Sequence, residues 1–285
     1  MENFTEFITA DNSVTYYNAE YDELYHSHFG AYTEAMYKFV KPASSLVSNL
    51  PERIRILDLP FGLGYNSLCA LEEFGNVEII AIEKDPKACF LLLENNPGLN
   101  ITWAEVLKSL KKNLEYKNKN AEIRLYIDDA RNFIRDLDMQ FDFVFLDPFS
   151  PKNNPELWTF DFFRKLYSIL SDKGVIFTYS SALSVRSAFI RAGFHIRRTE
   201  PVGRKRGGTC AFKKPCNNFL NIEKRDNYLL KYSTGKIPYR DKKLLLTKAE
   251  ILNYHEKIKE LSVNKGILKT VKKSIKDYKN ISGGN

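Results

Sequence analysis

From residue 53 onward, short apolar runs alternate with stretches of helical spacing, and most runs end in a turn or a carboxylate. The runs at 54–59, 77–82, 123–127, 141–146 and 175–179 predict strands, rich enough in apolar residues to be covered on both faces. Spacing between them predicts helices over 67–74, 87–95, 103–115, 130–137, 155–170 and 182–192; Val106, Leu107, Leu110 and Leu114 mark the third of these. The alternation predicts right-handed βαβ units in an α/β fold with a mostly parallel, doubly wound sheet. Two further short strands, at 195–199 and 210–213, have no helix between them and are expected to pair antiparallel as a hairpin. Upstream, residues 7–17 mix short alternating runs, 18–23 form a polar turn, and a helical pattern runs over 33–40. Downstream, an amphipathic helix is expected over 248–261 and a second, basic one over 267–278, and Ser282-Gly283-Gly284-Asn285 is expected to fray. The chain thus divides into an N-terminal extension (1–52), an α/β domain (53–216) and a basic, largely helical C-terminal extension (217–285).

At 285 residues the chain can bury one large domain with an appendage. No apolar run reaches the roughly 18 residues of a membrane span, so no membrane partner is expected. The start, Met1-Glu2-Asn3-Phe4, is acidic and polar, unlike a secretory signal. Cys69, Cys89, Cys210 and Cys216 form no C-x-x-C pair, which reads as unpaired thiols in a reducing cytoplasm, with no metal site. Charge divides the chain unevenly. Residues 201–285 hold 21 Lys and Arg against 7 Asp and Glu, whereas residues 1–200 hold 22 against 28. A basic last third fits a polyanionic partner such as RNA or DNA, and equally a solvated Lys-rich helix.

Candidate chemistry gathers at strand ends, where open α/β sheets bind ligands. After the strand at 54–59, Gly62 and Gly64 allow a sharp turn and close approach to a ligand. Glu83 ends the next strand, 21 residues after Gly62. That spacing and residue type suit a carboxylate accepting both hydroxyls of a ribose, with Asp85 as a competitor. Asp128 and Asp129 end a third strand, where an acid can meet an exocyclic amine such as that of adenine or can cap the following helix. The run 142–151, DFVFLDPFSP, ends in Asp147 and a loop stiffened by Pro148 and Pro151, with Phe149 offering a face for a base.

Several runs extend this pattern: Thr9-Ala10-Asp11-Asn12-Ser13; Glu23-Leu24-Tyr25-His26-Ser27 with Gly30-Ala31 and Glu34-Ala35; Leu57-Asp58-Leu59-Pro60-Phe61-Gly62-Leu63-Gly64-Tyr65-Asn66; and Phe145-Leu146-Asp147-Pro148-Phe149-Ser150-Pro151-Lys152-Asn153-Asn154-Pro155-Glu156-Leu157-Trp158. Tyr179-Ser180-Ser181-Ala182 and Gly203-Arg204-Lys205-Arg206 complete the set. In these the chain resembles the methyltransferase part of the bacterial bifunctional protein that completes 5-methylaminomethyl-2-thiouridine at the tRNA wobble position. The resemblance spans residues 9 to about 212. It implies a class I, Rossmann-like methyltransferase with a seven-stranded sheet closed by the hairpin, and S-adenosylmethionine as cofactor. It further implies that Gly62, Gly64, Asn66, Glu83, Asp128 and Asp129 bind the cofactor and that Asp147 serves the reacting amine. Tyr25, His26 and Ser27 are expected to close over cofactor or base, and Arg204, Lys205 and Arg206 to grip phosphates of a tRNA anticodon stem-loop.

Two departures stand out. Pro148 replaces the Gly or Ala usual after that Asp, removing an amide donor. Nothing after residue 212 resembles a dinucleotide-binding motif, so a stand-alone form without FAD, taken to be a monomer, is expected. It would act on 5-aminomethyluridine with or without the 2-thio group. A spermidine synthase-type aminopropyltransferase shares the fold and an amine nucleophile, but it carries a Gly-rich run ending in Asp-Gly where this chain has residues 61–65, and a basic extension serves no purpose with polyamines. A non-catalytic RNA-binding protein is the other alternative, opposed by Glu83, Asp129 and Asp147 occurring together.

Overall fold

The computed structural model describes residues 4–96 and 98–282; of the four residues expected to fray, Ser282 ends a helix, while Gly283-Gly284-Asn285 lie outside the described residues. Three short strands, β1 (Phe4–Ile8), β2 (Val14–Asn18) and β3 (Glu23–Leu24), form a small antiparallel sheet. The turn between β1 and β2 is tied by Asp11, whose carboxylate accepts from Thr9, Ser13 and the Thr33 amide and hydroxyl, which draws its pKa below the usual range against the effect of burial. The helical pattern at 33–40 becomes a helix over Ala31–Ala35, a π-helical turn over Met36–Val40 and a further turn over Lys41–Ser44.

The main sheet has eight strands: β4 (Ile54–Leu59), β5 (Val77–Glu83), β6 (Glu115–Lys117), β7 (Ala121–Ile127), β8 (Phe141–Leu146), β9 (Leu170–Thr178), β10 (His195–Arg197) and β11 (Thr209–Phe212), in the order β10-β11-β9-β8-β4-β5-β7-β6. The five central strands are parallel. Successive residues of β4 and β8 feed opposite cores: Ile56 and Phe143 face one, Leu57 and Val144 the other, as the two-residue strand period requires. The antiparallel β10–β11 pair closes one edge. The eighth strand, β6, sits on the other edge. The helix expected to reach 115 stops at Asn113 because Leu114 turns into the left-handed region (φ 57°), and Glu115–Lys117 then pairs antiparallel with β7. The helix expected over 155–170 is divided: a 3-10 turn, Pro155–Trp158, precedes a helix, Phe160–Ile169, capped by Thr159.

The C-terminal segment packs against the α/β domain rather than trailing from it. A helix that the sequence pattern does not predict, Lys224–Tyr232, comes first; helices Lys248–Asn264 and Val271–Ser282 follow. Leu229, Tyr239, Leu244 and Ile251 are buried. The Tyr239 carbonyl accepts from the Phe160 amide, and Arg240 grips Asp161 through two bonds. Among the described residues no helix is long and apolar enough to cross a membrane.

Candidate active site

The strand order turns outward in both directions from β4 and β8, and the carboxyl ends of β4, β5, β7 and β8 open onto one cleft of about 790 Å³. The crevice at such a reversal is where ligands bind in open parallel sheets. At the end of β4 the chain turns on Gly62 (φ 57°) and Gly64 (φ 87°), and Gly64 caps helix Tyr65–Glu73. A Cβ on Gly64 would stand 2.6 Å from the Phe61 ring, so no side chain fits without displacing it.

Glu83 ends β5 and lines the cleft. Its two carboxylate oxygens accept from the backbone amides of Gly62 (2.8 Å) and Asp85 (3.0 Å), fixing the side chain against the glycine turn. Burial pushes its pKa up and these amide bonds offset part of the rise. Each oxygen retains capacity to accept again, which suits a diol. Beyond β7 the two aspartates differ in their partners. Asp129 caps helix Ala130–Phe133 through the Arg131 amide and binds the Arg131 guanidinium with both oxygens. That arginine overcomes the effect of burial and holds the Asp129 pKa down. Asp128 remains exposed at the cleft wall.

Asp147 ends β8 and lines the cleft, where its carboxyl is pushed up to about 7 by burial. Asn66 Nδ2 donates to Asp147 Oδ2 at 3.1 Å, and Lys38 and Arg204 pull in the same downward direction, while Glu34 opposes them. Asn66, expected to touch the cofactor, is instead buried beside Asp147 and absent from the cleft lining, as is Gly64.

Glu34 lies in a run that carries the family resemblance but was given no role, and Lys38 was not foreseen. They pair at 2.6 Å with only 7% and 6% of each residue exposed, and Ser27 donates its hydroxyl to the same Glu34 oxygen at 2.6 Å. In the sequence an i,i+4 Glu–Lys pair reads as a surface feature, and nothing there marks this one as part of a cleft. Beside it, burial pulls the His26 imidazole down to about 4, so His26 is neutral and contacts Thr15 and Tyr65.

The loop after Asp147 is held from the N-terminal sheet. Glu23 Oε2 accepts from the Ser150 amide and from Asn153 Nδ2, both at 3.0 Å. Tyr21 stacks on Phe149 at 4.5 Å and Tyr25 tilts against it at 4.9 Å. The Phe149 face expected to receive a base is thus occupied by Tyr21, because β3 and the turn before it pack over this loop. The basic loop also divides. Arg204 lies over the Tyr179 ring at 5.0 Å and lines the cleft, and Lys205 is exposed. Arg206 is turned inward to Asp226 and Glu223, which corrects its expected role as a phosphate ligand.

Nine carboxylates line the cleft against five Lys and Arg. It is an acidic chamber, suited to cationic or amine-bearing groups and unsuited to phosphate.

Residues 95–214 match the family model described as S-adenosyl-L-methionine-dependent methyltransferase. The chain is 39% identical over 261 residues to the uncharacterised protein MJ0670 of Methanocaldococcus jannaschii, covering 88% of this chain and 71% of that one. It is 28% identical over 219 residues to the tRNA 5-methylaminomethyl-2-thiouridine biosynthesis bifunctional protein MnmC of Ralstonia nicotianae, covering 69% of this chain but only 33% of that protein's length. Its structure is similar to that of MnmC2 from Aquifex aeolicus, with a TM-score of 0.77, 35% identity, and 90% and 84% of the two chains covered.

Proposed function

The chain belongs to the S-adenosyl-L-methionine-dependent methyltransferases, in the family that includes MnmC2 of Aquifex aeolicus, and from this we propose that it methylates the amine of 5-aminomethyl-(2-thio)uridine at the tRNA wobble position, giving 5-methylaminomethyl-(2-thio)uridine. The observation that carries this reading is Asp147: a lone carboxyl at a strand end, in the same cleft as Glu83 and the glycine turn, with its pKa raised to about 7.

The donor set of the cleft fits S-adenosylmethionine. Glu83, anchored by two amides, would accept from the ribose hydroxyls; Asp128, the aspartate not spent on capping, would meet the adenine amine; Gly62 would let the backbone pass close. When bound, this cofactor supplies a methyl group activated by a positively charged sulfur.

The protein's own task is to bring a neutral amine to that group, since a protonated amine has no lone pair to give. Asp147 accepts a hydrogen bond or a proton from the incoming aminomethyl group and fixes its direction. A carboxyl near pH 7 is a better acceptor than one at its ordinary value. Asn66 orients the Asp147 carboxyl, and Glu23 holds the loop that follows it. Tyr25, His26 and Ser27 belong to the N-terminal lid over the cleft, and Arg204 with Lys205 meets phosphates at its rim. An acidic chamber repels the RNA backbone, so only an extruded base with its cationic or amine substituent enters.

Mass spectrometry of wobble nucleosides tests the reading. After incubation with S-adenosylmethionine and tRNA carrying 5-aminomethyl-2-thiouridine, the modified nucleoside is expected to gain one methyl group. An unchanged nucleoside mass would overturn the assignment.

A further inference from the structure

Part of the charge surplus of the C-terminal third is concentrated on single helices. Helix Lys248–Asn264 carries three lysines balanced by three glutamates. Helix Val271–Ser282 carries Lys272, Lys273, Lys276 and Lys279 against Asp277 alone, and all four lysines are exposed. Asp277 is itself bound to Lys269, at 2.6 Å. Among the described residues, none of the four lysines makes an ion pair.

This helix packs on helix Lys224–Tyr232, with Tyr278 against Tyr228 at 5.4 Å. Helix Lys224–Tyr232 in turn is tied through Asp226 to Arg206, in the loop that carries the cleft-lining Arg204. Its one acid, Asp226, is buried between Arg186 (2.7 Å) and Arg206 (3.3 Å), so its charge is spent inward while Lys224 and Lys231 remain exposed. Arg206 belongs to the same loop as Arg204 and Lys205. Exposed cations thus occur on the rim loop (Lys205), on the helix tied to it (Lys224 and Lys231) and on helix Val271–Ser282 packed against that one.

We propose that helices Lys224–Tyr232 and Val271–Ser282 form a docking surface for the phosphate backbone of an RNA helix, continuous with the Arg204-Lys205 rim. The proposal rests on the RNA-substrate reading above and adds to it where the body of the RNA lies. A membrane surface fits less well, because Tyr278 packs against Tyr228 and Ile281 alone among the large apolar side chains of this helix is exposed, too little to insert.

The test compares two quadruple variants that lose equal charge. One replaces Lys272, Lys273, Lys276 and Lys279 with Gln; the other replaces Lys248, Lys257, Lys259 and Lys265 with Gln. Binding of an unmodified tRNA transcript is followed by fluorescence anisotropy from low to moderate salt, and circular dichroism checks the fold. The first variant is expected to bind about tenfold or more weakly, and the slope of log Kd against log salt is expected to shrink by roughly 0.7 to 0.9 for each phosphate that is no longer neutralised. The second is expected to stay within about twofold of the parent. Equal losses in both, or parental binding by the first, overturn the proposal, as does a first variant that keeps tRNA affinity but loses binding to anionic phosphatidylserine vesicles. The binding readout is independent of catalysis: a protein that binds through this face yet leaves 5-aminomethyluridine unmethylated refutes the reaction and not the surface.

Discussion

Asp147 is deprived of water at the base of the cleft, and the donor that faces it, Asn66 Nδ2, compensates in part. Its folded-state value of about 7 lies above the ordinary 3.8, so the folded protein holds a proton that the unfolded chain has lost across that interval. Stability from this group is complete below about pH 4 and is lost as pH rises through about 7. Asp147→Asn should therefore raise Tm at pH 8 while leaving it little changed at pH 4, and scanning calorimetry at the two values checks this. Turnover runs the opposite way, rising with pH through about 7 as the acceptor form appears, and Asp147→Ala should abolish it while calorimetric binding of S-adenosylmethionine stays near the parent's. Glu34 and Lys38 act on the same carboxyl with opposite sign. Lys38→Met should move the midpoint of the rate profile upward and Glu34→Gln should move it downward, each with a stability cost of about 3–5 kcal/mol for leaving a buried charge unpaired. Midpoints that shift together would show that the pair does not bias Asp147.

Each functional group is set by an element, and the elements differ in how far sequence reveals them. The βαβ alternation, the glycine turn and the strand-end carboxylates Glu83 and Asp147 were legible because strand burial, the demand for positive φ and the position of ligands at strand ends all leave marks on residue type. Which of Asp128 and Asp129 caps the helix was not legible: the choice depends on Arg131, whose guanidinium also reaches Asp241 and the Leu246 carbonyl in the distant C-terminal segment. Arg206 looked like its neighbours because its acid partner, Asp226, sits 20 residues away on a helix that polar composition concealed. That helix is the clearest element-scale test. Asp226→Ala leaves Arg186 buried without its carboxylate and should destabilise the fold by about 3–5 kcal/mol. Urea denaturation measures this loss. The double change Asp226→Leu with Arg186→Met, which replaces the buried pair with apolar groups, should recover most of it.

Over the whole molecule, charge is sorted by depth: carboxylates line the cleft, while unopposed lysines lie outside it on the C-terminal helices. A uniformly basic surface would draw phosphates into the active site as readily as onto its rim. On the proposed reading the chamber would repel them and the exterior attract them, so an RNA would satisfy both regions by laying its backbone outside and passing one base within. The two contributions should separate with ionic strength. Cations that neutralise the RNA backbone release counterions, so kcat/KM for tRNA should fall about tenfold or more between 50 and 200 mM salt. The donor carries no phosphate and, on the proposed reading, would sit against buried groups such as Glu83, where screening is weaker, so its dissociation constant should change by about twofold or less over the same range. Measuring both constants on one preparation decides the matter. If donor affinity fell as steeply as that for tRNA, charge would not be partitioned between chamber and rim, and entry of the base could not be explained by repulsion of its backbone.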